Sequence, residues 1–178
     1  MNNQGQEHDW LKQYVKEVAD FPTAGVNFKD IVPLLADHKA FQYCIQKLAE
    51  KAWSLNAEAV VAVESRGFIF GAAVAFSLGV PFVPIRKSGK LPGKTVRVEY
   101  SLEYGQGELE FPSSVLDQGS KVVIIDDVLA TGGTAKASKS LMDLLDLKTV
   151  GYLFLIELSF LNGRKHLGEV PCHSLLTY

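Results

Sequence analysis

The sequence predicts an α/β fold: a mainly parallel central sheet flanked by helices, with an antiparallel ribbon. Three observations carry this. "AEAVVAV", an uncharged helical stretch and "VPFVPI" form a strand–helix–strand unit within about thirty residues, which requires parallel pairing and a right-handed crossover. A second succession runs from a strand at 121–125 through a helix at 133–146 to a strand at 149–157. Between them, residues 95–111 alternate polar with apolar about a turn at Gly105, the period-two pattern of an antiparallel hairpin.

The elements follow in chain order. Trp10, Leu11, Tyr14, Val15 and Val18 recur at helical spacing and predict an opening amphipathic helix. "DFPTAGVNFKDIVPLL" is rich in turn formers and too irregular for one element. Phe41, Ile45, Leu48, Ala52 and Leu55 mark a second helix, and strand 59–63 then runs into "ESRG". The nineteen uncharged residues from Gly67 to Ile85 are long enough to span a bilayer. Gly79, Pro81 and Pro84 interrupt them, however, and Arg66 and Arg86 flank them. A buried helix to Leu78 and a buried strand near Val80–Ile85 are therefore expected, with no membrane span.

With 178 residues, 47% of them apolar and 21% charged, the chain suits one globular domain, 1–178. A net charge of −2 weighs against broad attraction to nucleic acid or a membrane surface. "MNNQGQEHDW" lacks the apolar core of a signal peptide, and Cys44 and Cys172 form no CxxC pair, so a cytoplasmic setting is expected.

Ligands of parallel α/β sheets bind beyond the carboxyl ends of the strands. Three such ends carry unusual residues: "ESRG", "RKSGK" and "DDVLATGGT". In the third, Gly132 and Gly133 permit close backbone approach, Thr131 and Thr134 offer hydroxyls, and a helix begins, which together suit a phosphate. Asp126 and Asp127 would repel a bare phosphate. They suit a ligand with hydroxyls or a hydrated cation near the acids and a phosphate farther along, the layout of a ribose 5-phosphate. Arg66, after Ser65, can grip phosphate oxygens in a bidentate manner. Arg86, Lys87 and Lys90 read by default as a solvated cationic turn; if this loop and Arg66 face one pocket, they can hold a pyrophosphate. No GxGxxG follows a strand, and "GKLPGKT" has the wrong spacing for a phosphate-binding P-loop and precedes a strand-like alternation.

"VVIIDDVLATGGTA" resembles the phosphoribosyl-pyrophosphate signature of the type I phosphoribosyltransferases. "FPTAGVNFKDI", "VVAVESRGFIFG", "RKSGKLPGKT", "YSLEYGQGELE" and "IELSFLNGR", in this order over about residues 21–164, are similar to blocks of the adenine phosphoribosyltransferase family. The resemblance implies the type I phosphoribosyltransferase fold, with the first ~35 residues contributing a helix and a hood over the base. It implies transfer of 5-phosphoribosyl from phosphoribosyl pyrophosphate to adenine, giving AMP and pyrophosphate in purine salvage. It further implies a homodimer and Mg²⁺ held through substrate and water rather than by side chains.

Carried onto this chain, the resemblance assigns the ribose hydroxyls to Asp126 and Asp127, and the 5-phosphate to Ala130, Thr131, Gly132, Gly133 and Thr134. Ser65, Arg66, Arg86, Lys87 and Lys90 would grip the pyrophosphate. Phe28, Val128 and Ala130 would sandwich adenine, with backbone near Val26 and Asn27 reading its edge. Glu103 would act as acid/base and Tyr104 would close the loop. By parity alone Glu103 shares a ribbon face with Arg97, Glu99 and Ser101, the place of a solvated glutamate. Ala24, Asn27 and Val128 depart mildly from the family pattern. Two rivals share the donor site. One is a sister enzyme for hypoxanthine or guanine, which the five further blocks disfavour. The other is a ligand-sensing regulator, disfavoured because only about twenty residues precede the core, without a basic patch.

Overall fold

The computed structural model describes residues 7–101 and 106–178. Strand β3 (Ala59–Val63) is buried at every position, as a strand covered on both faces must be. It lies parallel to β4 (Phe82–Lys87) on one side and to β7 (Lys121–Leu129) on the other. Beyond β7, β8 (Lys148–Glu157) and β9 (Cys172–Thr177) continue the parallel sheet. At the opposite edge β4 pairs antiparallel with β6 (Gln106–Pro112), which pairs with β5 (Thr95–Ser101). The order is β5-β6-β4-β3-β7-β8-β9, so the predicted ribbon is an extension of the parallel sheet at β4.

Side-chain parity distributes the core. Val60 and Ala62 of β3 enter a cluster with two helices, α2 (His38–Ser54) and α3 (Gly67–Leu78). Ala59, Val61 and Val63 face the other way, toward α4 (Gly133–Leu144) and Leu109 and Phe111 of the ribbon. Helix α2 is capped by Asp37, whose Oδ1 accepts the Ala40 N–H at 2.8 Å. Helix α3 lies so close to β3 that a Cβ on Gly71 would stand 2.4 Å from that of Ala62.

The N-terminal expectation needs correction. Trp10–Val18 is not one amphipathic helix. A 3-10 helix, Asp9–Tyr14, gives way at Val15 to extended backbone and β1 (Lys16–Val18). Leu11 and Val15 are buried, but Trp10 and Val18 are each 39% exposed, so the helical spacing marks no continuous buried face. Pairing decides the outcome. β1 runs antiparallel to β2 (Phe28–Asp30), with Glu17 bound to the Lys29 ammonium and accepting from the Asn27 amide at 3.0 Å. This pair forms a separate two-stranded sheet. A short helix, α1 (Val32–Ala36), follows with Pro33 in its first turn, where no N–H is required.

Two further differences concern strands. The strand expected over 121–125 continues to Leu129, because β8 supplies partners for Asp126, Val128 and Leu129. β9 has no counterpart among the sequence expectations, since "CHSLLT" is neither a continuous apolar run nor an alternation. It is recruited by pairing with β8.

Candidate active site

The carboxyl ends of β4, β3 and β7 are neighbours, so "RKSGK", "ESRG" and "DDVLATGGT" meet at one edge. Asp126 and Asp127 sit within β7 rather than after it. Asp127 is 5% exposed, and its Oδ2 has no hydrogen-bond partner among the described residues. Arg66 Nε approaches that oxygen at 2.7 Å as an ion pair. The Asp127 N–H donates to Asp126 Oδ1 at 2.9 Å. Burial, reinforced by the Asp127 charge, pushes the Asp126 carboxyl well above the usual range, and burial raises Asp127 as well. The "ESRG" glycine makes this crowding possible: a Cβ on Gly67 would stand 2.8 Å from Asp126 Oδ1. Such carboxylates suit a ligand that supplies hydroxyl donors or positive charge.

Ala130, Thr131, Gly132, Gly133 and Thr134 wrap a small cavity shared with Asp126 and Val128. Gly132 takes a φ of +85°, which an L side chain rarely adopts. No side chain caps α4, leaving its first-turn N–H groups available to an anion. Behind the loop, Gly132 and Gly163 pack backbone against backbone: a Cβ on Gly132 would stand 2.4 Å from Gly163 O, and one on Gly163 would stand 2.2 Å from Ala130 O. The turn bearing Gly163 is tied to the end of β8. Arg164 makes a bidentate pair with Glu157, both bonds at 2.6 Å, and donates to Cys172 O at 2.7 Å. Burial works to raise the Glu157 carboxyl, but bonds from Arg164 and Ser174 hold it below the usual range. The "IELSFLNGR" block thus buttresses the 130–134 loop, a role that no local sequence signal announces.

The basic loop is organised by acids that the sequence did not single out. Arg86 donates to both oxygens of Glu64, from Nε at 3.2 Å and Nη2 at 2.9 Å. Glu64 also accepts the Lys87 N–H at 3.1 Å, and these bonds, Arg86 foremost, keep its carboxyl below the usual range. Arg86 Nη1 reaches Lys90 O at 3.0 Å. Lys87 faces the acid pair across a cavity of about 230 Å³ that Ser65, Arg66, Asp126, Asp127 and Thr134 also line. Tyr100 of the ribbon walls it off from a second cavity of about 450 Å³, beside Thr131 and Lys136.

Phe28 stands on β2 with the Arg66 guanidinium 4.8 Å from its ring centre. Arg66 also donates to Lys29 O at 3.4 Å, so one side chain joins the aromatic wall to Asp127. Val26 is engaged in its own turn, accepting from Phe21 N and donating to Thr23 O, each at 3.2 Å. The Asn27 side chain points away to Glu17. Glu103 and Tyr104 lie outside the described residues. Among the described residues, no group of three or more His, Cys, Asp or Glu side chains is placed to hold a metal ion, and no helix is long and apolar enough to cross a membrane.

Known proteins match this chain over nearly its whole length. The family model described as phosphoribosyl transferase domain matches residues 35–166. The adenine phosphoribosyltransferase of Petrotoga mobilis is 47% identical over 168 residues, covering 94% of this chain and 97% of the relative. The crystal structure of adenine phosphoribosyltransferase from Thermoanaerobacter pseudethanolicus superposes with a TM-score of 0.93 at 46% identity, covering 96% of this chain and 99% of the other. That of Saccharomyces cerevisiae, complexed with adenine and an imino-altritol bisphosphate, gives a TM-score of 0.89 at 38% identity, again covering 96% and 99%. With relatives and solved structures of this kind matched over nearly its whole length, the chain belongs to the adenine phosphoribosyltransferase family.

Proposed function

We infer that this chain, as one phosphoribosyltransferase domain over 1–178, transfers 5-phosphoribosyl from phosphoribosyl pyrophosphate to adenine, giving AMP and pyrophosphate. The observation that carries the reading is a buried acid, Asp127, ion-paired to Arg66 and set in the same strand and loop as an uncapped helix start. A ribose 5-phosphate complements both. Its hydroxyls would meet Asp126 and Asp127, and its phosphate the N–H groups of 130–134.

In the reaction the bond from C1 of the sugar to pyrophosphate breaks as N9 of adenine bonds to C1. Positive charge builds on the sugar and negative charge on the leaving group, so cations held in place beforehand speed the step. Arg66 and Lys87 line the cavity where pyrophosphate would sit, with Ser65 beside them. Arg86 is held by Glu64, and a pyrophosphate would compete with that carboxylate for it. Phe28 and Val128 would flank the adenine ring, Glu103 would handle the purine proton, and Tyr104 would close over it. The ribbon, through Tyr100, supplies a wall that limits water. Mg²⁺ fits the donor set: Asp126 and Asp127, which line the same cavity, would reach it through water and the substrate, and when bound it would supply charge neutralisation to the pyrophosphate.

Pyrophosphate release from phosphoribosyl pyrophosphate, measured with each nucleobase and with or without Mg²⁺, tests the reading. Adenine is expected to exceed hypoxanthine and guanine in kcat/KM by about 10² or more, because a site built for one pattern of donors and acceptors leaves polar groups unpaired with another. A higher value for hypoxanthine overturns it. In the same assay Glu103→Gln should lower AMP synthesis about 10²-fold while donor binding persists. Full activity in that variant removes Glu103 from the chemistry.

We also propose a cytoplasmic homodimer. Free thiols at Cys44 and Cys172 support the compartment, and outward-facing Trp53 (74% exposed) on α2 and Phe76 (91% exposed) on α3 support self-association. Light scattering should give twice the 19.5 kDa chain mass; a monomer refutes the dimer.

A further inference from the structure

Glu110 of β6 has 0% exposure, and it is not among the residues lining the acid-bearing cavity. An ionised carboxylate so dry persists only where donors surround it. Two of those donors belong to the basic loop: Oε1 accepts the N–H groups of Lys90 and Leu91 at 2.7 Å each. On the other oxygen, Arg97 Nε lies at 3.4 Å and the Thr95 hydroxyl at 3.5 Å. Strand register sets Glu110 directly between Arg86 of β4 and Arg97 of β5. Burial works to raise its carboxyl, yet the backbone N–H groups of Leu91, Lys90 and Gly89 hold it below the usual range. The loop turns at Gly89 with a φ of +80°, and its amides converge on the carboxylate as they would on a bound anion.

We propose that Glu110 is a positioning residue for the donor substrate, an internal anion around which the 87–95 loop is wound, so that Lys87 and Lys90 stand where pyrophosphate is gripped. The proposal rests on the pyrophosphate reading of that loop. Glu110 itself touches no reacting atom. It acts through the backbone of Lys90 and Leu91, while Glu64 holds the start of the loop through Arg86 and the Lys87 N–H.

Amide hydrogen exchange and steady-state kinetics on wild type, Glu110→Gln and Lys87→Gln test this. In wild type the Lys90 and Leu91 amides, on a surface loop, should exchange at least about tenfold more slowly than an open loop. Free exchange there overturns the proposal even if Glu110→Gln does not fold. Glu110→Gln keeps an acceptor but loses the charge assistance, so KM for phosphoribosyl pyrophosphate should rise at least about tenfold. KM for adenine should stay within about twofold. Faster exchange at Lys90 and Leu91 should accompany this, with β3 and β7 amides unchanged. An unchanged donor KM despite loosened amides overturns the positioning role, and so does an equal rise in both KM values. If Lys87→Gln leaves the donor KM unaltered, the pyrophosphate reading fails and takes this proposal with it. If Lys87→Gln raises it and Glu110→Gln does not, only the proposal falls.

Discussion

Replacing Asp126 and Asp127 together by asparagine is expected to lower kcat/KM for phosphoribosyl pyrophosphate about 10³-fold and to raise the melting temperature at neutral pH. Hydrogen bonds to a charged group contribute about 1.5–3 kcal/mol each, and two sugar hydroxyls would lose theirs at once. Stability moves the other way. Burial raises both carboxyls, so ionisation opposes folding, and asparagine removes that opposition. The amide oxygen at 126 still accepts the backbone N–H of residue 127. Loss of the Arg66 ion pair subtracts little, because the Arg66 side chain is 36% exposed and stays hydrated. A net gain of about 1 kcal/mol would appear as a melting temperature about 2–4 °C higher in a chain of this size. The sign fixes the pH window. The wild-type penalty is complete above the raised carboxyl values and fades as pH falls through them toward the ordinary 3.8. Calorimetric melts from pH 7 downward should show the gap closing; a variant that melts lower than wild type at pH 7 refutes the account.

The second large effect is expected at a residue that touches no ligand. In Gly163→Ala the new Cβ would stand 2.2 Å from Ala130 O and 3.1 Å from Gly132 N, so the phosphate loop must move. Overpacking of this kind costs about 3 kcal/mol at the upper end of its usual range, or about 6–12 °C in melting temperature. A shift of about 1 Å in a positioned binding group costs about 10²-fold in turnover. The loss should fall on phosphoribosyl pyrophosphate rather than on adenine, and KM measured for each substrate separates the two. Wild-type melting with wild-type donor KM would show that the two glycines do not need to meet.

The parts of the fold legible in the sequence are those where one local signal outweighs its rivals. β3 and the buried half of β7 are unbroken β-branched or small apolar runs, and the ribbon alternates strictly. The opening helix misled because Trp10, Leu11, Tyr14, Val15 and Val18 share helical spacing by coincidence, while partners on β2 fix the backbone. In the site, Asp126, Asp127 and the Thr-Gly-Gly-Thr loop stood out because acids and glycines at a strand end contradict the surrounding pattern. Glu64, Glu110 and Glu157 did not, since a charged residue is exposed by default. Alternation in "GELEF" puts Glu108 and Glu110 together on the polar face. Only the basic loop, folding its amides onto that face, takes Glu110 from solvent while Glu108 stays one-third exposed. Long-range closure of this kind has no local signature.

The separate β1–β2 sheet has a consequence for how the two proposed substrates are coupled. The acids, Ser65 and the basic loop hang on three hydrogen-bonded strands of one sheet, so a change at any of them is felt by the other two. Phe28 rides on β2, outside that lattice. In the proposed arrangement, then, the acceptor half is divided: Phe28 sits on the small sheet and Val128 on β7. Arg66, lying on Phe28 and against Asp127 at once, ties the small sheet to the large one, so a base seated on Phe28 would be felt at the acids.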